Sequence, residues 1–186
     1  MEVNGNTIEP GADLSYANLI GANLTDANLF GANLEGADLR RANLNWADLS
    51  SANLIGAILT DANLTAANLK GTNLQGANLQ GANFFDANLE GANLSGADLT
   101  GAKLAKAILR RAILTDAILT KANLFDAYLI DAFLNGADLT RAILERANLC
   151  RTNLANANLS DAWMKGANLE GTNLTGATMP DGSIHD

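Results

Sequence analysis

From Ala12 to Met179 the chain keeps a five-residue register without a break: a small residue, Asn or Asp, Leu, then two variable positions. The central positions run 14, 19, 24 and onward to 179, 34 in all; 31 are Leu and the others are Phe84, Met164 and Met179. A step of five residues turns an α-helix by about 500°, so the leucines would spiral around its axis and share no face. On a strand an odd step alternates sides. Neither regular element can bury every centre, so the chain must turn a corner once per unit.

A coil of short extended segments and corners points each central Leu inward. The residue two before it also faces inward, at the corner where space is tight, and it is Ala in 31 of 34 units; the exceptions are Thr72, Thr152 and Thr172. The other three positions face solvent, which is where charge, Gly and aromatic residues collect. Stacked positions share local requirements, so the size of the coil is legible. The three inward threonines are separated by multiples of 20 and fall in one column of a four-unit coil, whereas a 15-residue coil would scatter them. Gly at the second variable position fills six of the nine sites in the series 16, 36, 56 to 176. Both signals favour 20 residues per coil. No linker or change of composition interrupts the register, so the reading is an N-terminal cap segment at 1–11, a single repeat domain at 12–179 and a C-terminal tail at 180–186.

Runs such as Gly21-Ala-Asn-Leu-Thr-Asp-Ala-Asn-Leu-Phe30 resemble the pentapeptide repeat family, A(D/N)LXX, over most of the chain. The opening Ile8-Glu-Pro-Gly-Ala-Asp-Leu and the closing Met179-Pro-Asp-Gly-Ser are similar to the ends of cyanobacterial members. The resemblance implies an all-β, right-handed quadrilateral parallel β-helix, a solenoid of about 8.5 coils of 20 residues. At roughly 4.8 Å per coil the rod would be about 40 Å long. Pro10 and Pro180, the only two prolines, flank the repeat, where a residue without a ladder donor is expected to protect the exposed edges from pairing with another chain.

The Asn/Asp position is the most regular outside the core, and its failures are grouped. Nine units carry a larger or apolar residue or Lys there, namely Ile58, Lys103, Ile108, Ile113, Ile118, Tyr128, Phe133, Ile143 and Trp163, and seven of these lie between 103 and 143. With 20-residue coils, Ile108 stacks with Tyr128 and Ile113 with Phe133 on neighbouring faces, with Ile130 beside them. A contiguous exposed apolar patch is expected, and large patches of that kind mark partner contacts. The alternatives are apolar stacking along the sheet surface, self-association and a foreign partner. Charge divides in the same place: residues 1–102 net −8, residues 103–151 net +3 and residues 152–186 net −3. Columns of alternating sign, Asp86, Lys106, Asp126, Arg146 and Arg111, Asp131, Arg151, read as structural ladders in which each exposed pair contributes little.

Catalytic material is sparse. His185 is the only histidine and lies in a tail expected to be disordered. Cys150 is the only cysteine, which argues against an intramolecular disulfide framework, and it occupies a solvent-facing position without a His partner. The clearest stacked carboxylates are Asp161 and Asp181, at the end of the repeat. A column of Thr100, Thr120, Thr140 and Ser160 reads as cross-strand hydroxyl pairing. The polar start, Met-Glu-Val-Asn-Gly-Asn, has neither a cationic region nor a long apolar one, so a cytoplasmic protein with no membrane span is expected. No cofactor, metal, small-molecule substrate or nucleic acid is expected, since Lys103, Lys106, Arg110 and Arg111 read as compensated by nearby acids and the chain nets −8.

The resemblance also implies an alternative activity, because some members of the family bind DNA gyrase as DNA mimics. B-DNA carries one charge per about 1.7 Å, so a rod of about 40 Å would need over 20 charges to match it. Here Asp26, Glu35, Asp38, Asp48, Asp61, Asp86 and Glu90 are scattered over different faces. The sequence therefore reads as a non-enzymatic protein-binding scaffold. Its candidate contact residues are Ile108, Ile113, Ile118, Tyr128, Ile130, Phe133 and Ile143, its partner is an unidentified protein or a second copy, and gyrase mimicry is the alternative.

Overall fold

A computed structural model describes all 186 residues. Each unit supplies a side of three extended residues and a corner of two. Three extended residues alternate in, out, in, so Ala and Leu both face the axis while the Asn or Asp between them faces out. The corner then restores the phase, and this is how an odd period buries every Leu. Parallel bridges join each outward position to the one 20 residues on, from Asp13–Asn33 to Asn158–Thr178, giving a four-sided coil. The winding is right-handed, as expected when consecutive parallel strands of one sheet are joined by a crossover. Ala and Leu from all four sides merge into one core of 58 buried residues running the length of the rod.

Corners are closed by a hydrogen bond from the Ala N–H to the carbonyl of the preceding Leu, as in Ala17 to Leu14 at 3.0 Å. Every second corner residue from Tyr16 to Gly176 has φ between 53° and 72°, while no first corner residue is positive. That is the type II pattern, in which the third of the four turn residues is left-handed. A non-glycine residue in this region is strained, most of all a β-branched one. The sequence obeys this: Ile and Thr occur at first corner positions such as Ile20, Thr60 and Ile130, and no Val, Ile or Thr occupies the second. Gly101, at φ 66°, has open space where a Cβ would lie. Gly101→Val should therefore destabilise by about 1–2 kcal/mol through conformation alone, read by urea unfolding, with Gly101→Ala losing less.

All five amides of a unit can be accounted for. The Ala amide closes the corner, the amide of the outward residue donates to the coil before, and those of Leu and the second corner residue donate to the coil after, as in Leu34 to Asn53 at 2.7 Å and Gly36 to Ile55 at 2.9 Å. The first corner amide has no backbone acceptor. In every unit with Asn or Asp at the outward position that residue's Oδ1 accepts it, at 2.9–3.3 Å. This side-chain turn is the physical reason for the regularity of Asn and Asp there. Adjacent amides also form ladders, as Asn53 Nδ2 to Asn33 Oδ1 at 3.1 Å and Asn63 Nδ2 to Asn43 Oδ1 at 3.1 Å.

Two expectations about hydroxyl groups and prolines change in this light. The column Thr100, Thr120, Thr140, Ser160 does not pair hydroxyl to hydroxyl. Thr140 Oγ1 donates to Asp138 at 2.5 Å, Thr120 Oγ1 to the other oxygen of Asp138 at 3.0 Å, and Ser160 Oγ to Asn158 at 2.6 Å, because those oxygens lie nearer and carry spare lone pairs. Pro10 and Pro180 both stand at first corner positions, whose amide never enters the inter-coil ladder. The residues two before them, Ile8 and Thr178, are not Asn or Asp, so each proline removes an amide that would lack its usual acceptor.

Burial pushes the Asp138 carboxyl up, but hydrogen bonds from the Thr140 hydroxyl and amide and from the Thr120 hydroxyl outweigh it and hold it below its ordinary 3.8. Asp98 behaves likewise through Thr100 and Gln80. A folded pKa below the unfolded one means that the unfolded chain binds protons more readily. The stabilisation is complete above 3.8 and is lost as pH falls below it through the folded values. Thermal melts should hold steady from neutral pH to about pH 5 and drop below pH 4, and Asp98→Asn/Asp138→Asn should flatten that drop.

The inward threonines are satisfied by the coil beneath: Thr72 donates to the Leu49 carbonyl at 2.8 Å, Thr152 to Leu129 at 2.7 Å and Thr172 to Leu149 at 2.7 Å. At the N-terminal end, β1 (Glu2–Val3) and β2 (Asn6–Thr7) form a hairpin through Asn4 and Gly5, both with positive φ as a type I′ turn requires. It is followed by Ile8, which is buried against the first coil. At the other end residues 180–185 are not disordered. They fold back antiparallel, with Thr178 bridged to Ile184, Met179 N–H donating to Ser183 and His185 N–H to Ala177. That turn covers one side of the last coil only. Leu169 stays exposed, and the amides of Met164, Leu169 and Leu174 find no acceptor.

Candidate protein-binding site

The ten units without Asn or Asp, the nine named above and that of Thr178, lose more than a polar side chain. Ile108, Ile113, Tyr128 and Phe133 cannot accept a hydrogen bond from the first corner amide, so the N–H groups of Arg110, Thr115, Ile130 and Asn135 have no acceptor in the chain. Each such bond contributes about 0.5–1.5 kcal/mol net elsewhere in the rod. The stretch from 103 to 143 therefore gives up stability and at the same time shows apolar side chains to solvent.

The structure divides the seven candidate residues. Ile108 and Tyr128 are bridged on one face, Ile113 and Phe133 on the next, and Ile130 occupies the corner between them. Tyr128 and Phe133 are nearly half exposed, at 48% and 47%, and Ile108 and Ile130 are half-buried at their bases. Ile118, also exposed, lies one face further on, bridged to Asp98 and Asp138. Ile143 stands on the face opposite Ile113 and Phe133, joined to Asn123 and Trp163. The fold brings five of the seven together and sets Ile118 and Ile143 apart. The reason is geometric: consecutive units occupy consecutive faces, so neighbours in the sequence of units point in four directions.

The charges around this corner differ from expectation. Arg151 Nε donates to Asp131 Oδ1 at 2.7 Å and its Nη2 to Oδ2 at 3.0 Å; Arg146 pairs with Asp126 at 2.8 Å and lies over the Phe125 ring at 5.4 Å. Lys106 lies over Phe85 at 5.6 Å and pairs with neither aspartate of its column. Lys103, Arg110 and Arg111 form no ion pair either, so the expected compensation of these four bases is not made by direct contact. Arg110 and Arg111 are corner residues directly beside Ile130 and Asp131 on the coil above. Their charges help to hold the Asp131 carboxyl below its ordinary value, after the hydrogen bond from Arg151 has done most of it against the effect of burial. The corner thus joins four apolar side chains, a fifth at its apex and two arginines with no carboxylate of their own.

Asp161 pairs with Arg141 at 3.3 Å, and Asp181 accepts from Ser183, so the one stacked carboxylate pair is spent on local bonds. No group of three or more His, Cys, Asp or Glu residues is placed to hold a metal ion, and no helix is long and apolar enough to cross a membrane.

Eight copies of the pentapeptide-repeats family profile match the chain, together covering residues 11–45, 42–81, 82–120, 117–154 and 152–181. The chain belongs to the pentapeptide repeat family. Among solved structures it is similar to HetL, a pentapeptide repeat protein involved in heterocyst differentiation regulation from the cyanobacterium Nostoc sp. strain PCC 7120. The identity is 40% over 95% of this chain and 86% of HetL, with a TM-score of 0.72. It is similar also to Rfr23 from the cyanobacterium Cyanothece 51142, at 34% identity over 64% of this chain and 91% of that one, with a TM-score of 0.50. A trypsin-treated form of QnrB1, a plasmid-mediated fluoroquinolone resistance protein, shares the fold at a TM-score of 0.80 and 20% identity, over 90% of this chain and 85% of QnrB1. Among curated proteins no sequence match is found. In a pentapeptide repeat protein three of every five positions answer to the coil, so identity of this size tracks the repeat consensus and leaves the corner residues undetermined.

Proposed function

We propose that this pentapeptide repeat protein is a non-enzymatic, cytoplasmic protein-binding scaffold whose contact surface is the corner formed by Ile108, Ile113, Tyr128, Ile130 and Phe133. One observation carries the reading: the units that build this corner forgo the acceptor that Asn and Asp supply in the same position elsewhere. Positions that break a local rule at a cost in hydrogen bonding are where function is to be sought. An exposed apolar cluster between arginines supplies what a partner needs, an apolar centre with a polar rim. A role exercised by contact alone is also in keeping with the regulatory involvement of HetL.

Gyrase mimicry fits the surface less well. The net charge of −8 is well short of the 20 or so phosphates that about 40 Å of duplex presents, and the arginine corner interrupts the acidic surface. The likeness to QnrB1 is one of fold. Equimolar protein is expected to leave gyrase supercoiling unchanged, and inhibition below that ratio would restore the mimic reading.

The scaffold is tested with Tyr128→Asn/Phe133→Asn, which restores two acceptors and removes two apolar side chains. Its unfolding free energy should rise by about 0.5–1.5 kcal/mol per restored bond, read by urea titration. Pull-downs from the source organism should retain a protein on the wild type that this more stable variant loses. Identical captures would refute the corner as a contact site.

A further inference from the structure

The chain contains an internal example of what the corner at Arg110 lacks. In the unit of Asp38, the carboxylate accepts the first corner amide, that of Arg40, at 3.2 Å. The guanidinium of the same Arg40 closes on the same carboxylate, Nε to Oδ1 at 2.8 Å and Nη2 to Oδ2 at 2.5 Å. One arginine thus holds one carboxylate by its backbone and its side chain together, and the Asp38 carboxyl is held low, first of all by that side chain. Arg110 stands at the same first corner position of its own unit, but the residue two before it is Ile108. Its amide and guanidinium are both present and the carboxylate is not. Arg111 adjoins it without an ion pair, and on the coil above, the Ile130 amide is likewise without an acceptor, because Tyr128 has replaced Asn or Asp.

Resting on the scaffold reading, we propose that the corner recognises an acidic, extended segment of a partner protein. Its carboxylates take the place left open beside Arg110 and Arg111, and its apolar side chains lie against Ile108–Tyr128 on one face and Ile113–Phe133 on the other. Charge complementarity selects this occupant. The two arginines form no ion pair, the amides of Arg110 and Ile130 have no acceptor in the chain and can only donate, and an extended chain alternates its side chains between the two sides of a ridge. A basic or purely apolar segment would leave the arginines unmet. A second copy of this chain offers acidic residues in its first half, but they are scattered over several faces rather than interleaved with exposed apolar ones.

The probe is a fluorescein-labelled peptide of twelve residues repeating Leu-Leu-Asp-Asp, which in an extended chain presents Leu and Asp on both sides, titrated with the full chain by fluorescence anisotropy. Matched peptides carry Asn or Lys in place of Asp, and a labelled DNA duplex serves as a second polyanion. The Asp peptide should bind at least tenfold more tightly than the Asn and Lys peptides and the duplex, and more weakly as salt rises. Arg110→Gln/Arg111→Gln, both exposed and outside the core, should lower its affinity at least tenfold while leaving the melting temperature unchanged. Tyr128→Asn/Phe133→Asn should lower it as well. No binding of the Asp peptide, equal binding of the Asn peptide, or indifference to the arginine variant would overturn the acidic segment. If the Asn peptide binds equally and is lost with the apolar variant, the scaffold reading survives that failure. Tighter binding of the duplex through the same arginines would give the site to nucleic acid. A doubled mass in light scattering, lost in the arginine variant, would give it to a second copy, and either result overturns the proposal.

Discussion

Leu104→Ala is expected to cost about 2–5 kcal/mol, the range for emptying a well-packed leucine site. Leu104 is completely buried, and its own amide is bonded to Asn123 in the coil above at 2.7 Å. Its inward neighbours along the chain are alanines, Ala102 and Ala107, which have no side-chain atoms with which to fill the space. The backbone cannot close in, because each side is tied to the coils on either side of it. Urea unfolding followed by circular dichroism measures the loss. Leu169→Ala is the control: Leu169 is exposed on the open last coil and its amide has no acceptor, so its truncation should cost under about 1 kcal/mol. Equal losses at the two sites would contradict a rod whose stability is built from contacts between neighbouring coils.

The converse change, Ala107→Leu, should cost about 1–3 kcal/mol or more. Ala107 is completely buried, its amide closes a corner onto Leu104 at 3.0 Å, and its carbonyl accepts from Tyr128 at 3.0 Å. The side chain therefore starts from backbone held at both ends, pointing into a layer already filled by leucines. The nearest the chain comes to enlarging such a position is Thr72, Thr152 and Thr172, where the added hydroxyl finds a carbonyl 2.7–2.8 Å away. A neutral Ala107→Leu would show that the inward Ala is a matter of composition and not of space.

Some features of the structure left signals in the residues that the repeat alone does not explain. Asn4-Gly5 is the dipeptide of a two-residue hairpin, and a hairpin stands there over the first coil. The absence of β-branched residues from the second corner position, beside their frequency at the first, records the left-handed φ at that position. The preference of Gly for the series 16, 36, 56 has a different status, because all four corners of the coil need a positive φ. The choice between Gly and Asp, Arg or Ser at a corner is then partly a matter of what lies beneath: a Cβ on Gly36 would meet the Tyr16 ring at 2.5 Å.

The candidate site was legible in outline. The interrupted Asn/Asp column pointed to 103–143, and the 20-residue spacing correctly paired Ile108 with Tyr128 and Ile113 with Phe133. The separation of Ile118 and Ile143 needed the assignment of each unit to a face. The isolation of Arg110 and Arg111 needed side-chain positions, because a charge count over a segment does not say which arginine holds which carboxylate.

By itself the sequence determined the coil. A five-residue register with Leu and Ala at fixed places admits one way of burying both, a side of three residues and a corner of two, and that local rule repeats until it makes the rod. What only the tertiary structure decided is what neighbouring coils do to each other: which oxygen takes each Thr and Ser hydroxyl, which bases are paired across 20 residues, and which apolar residues meet at one corner. The physical reason is that the pairings between coils join positions 18 to 20 residues apart, where side-chain reach and competition among several acceptors, and not the register, select the partner.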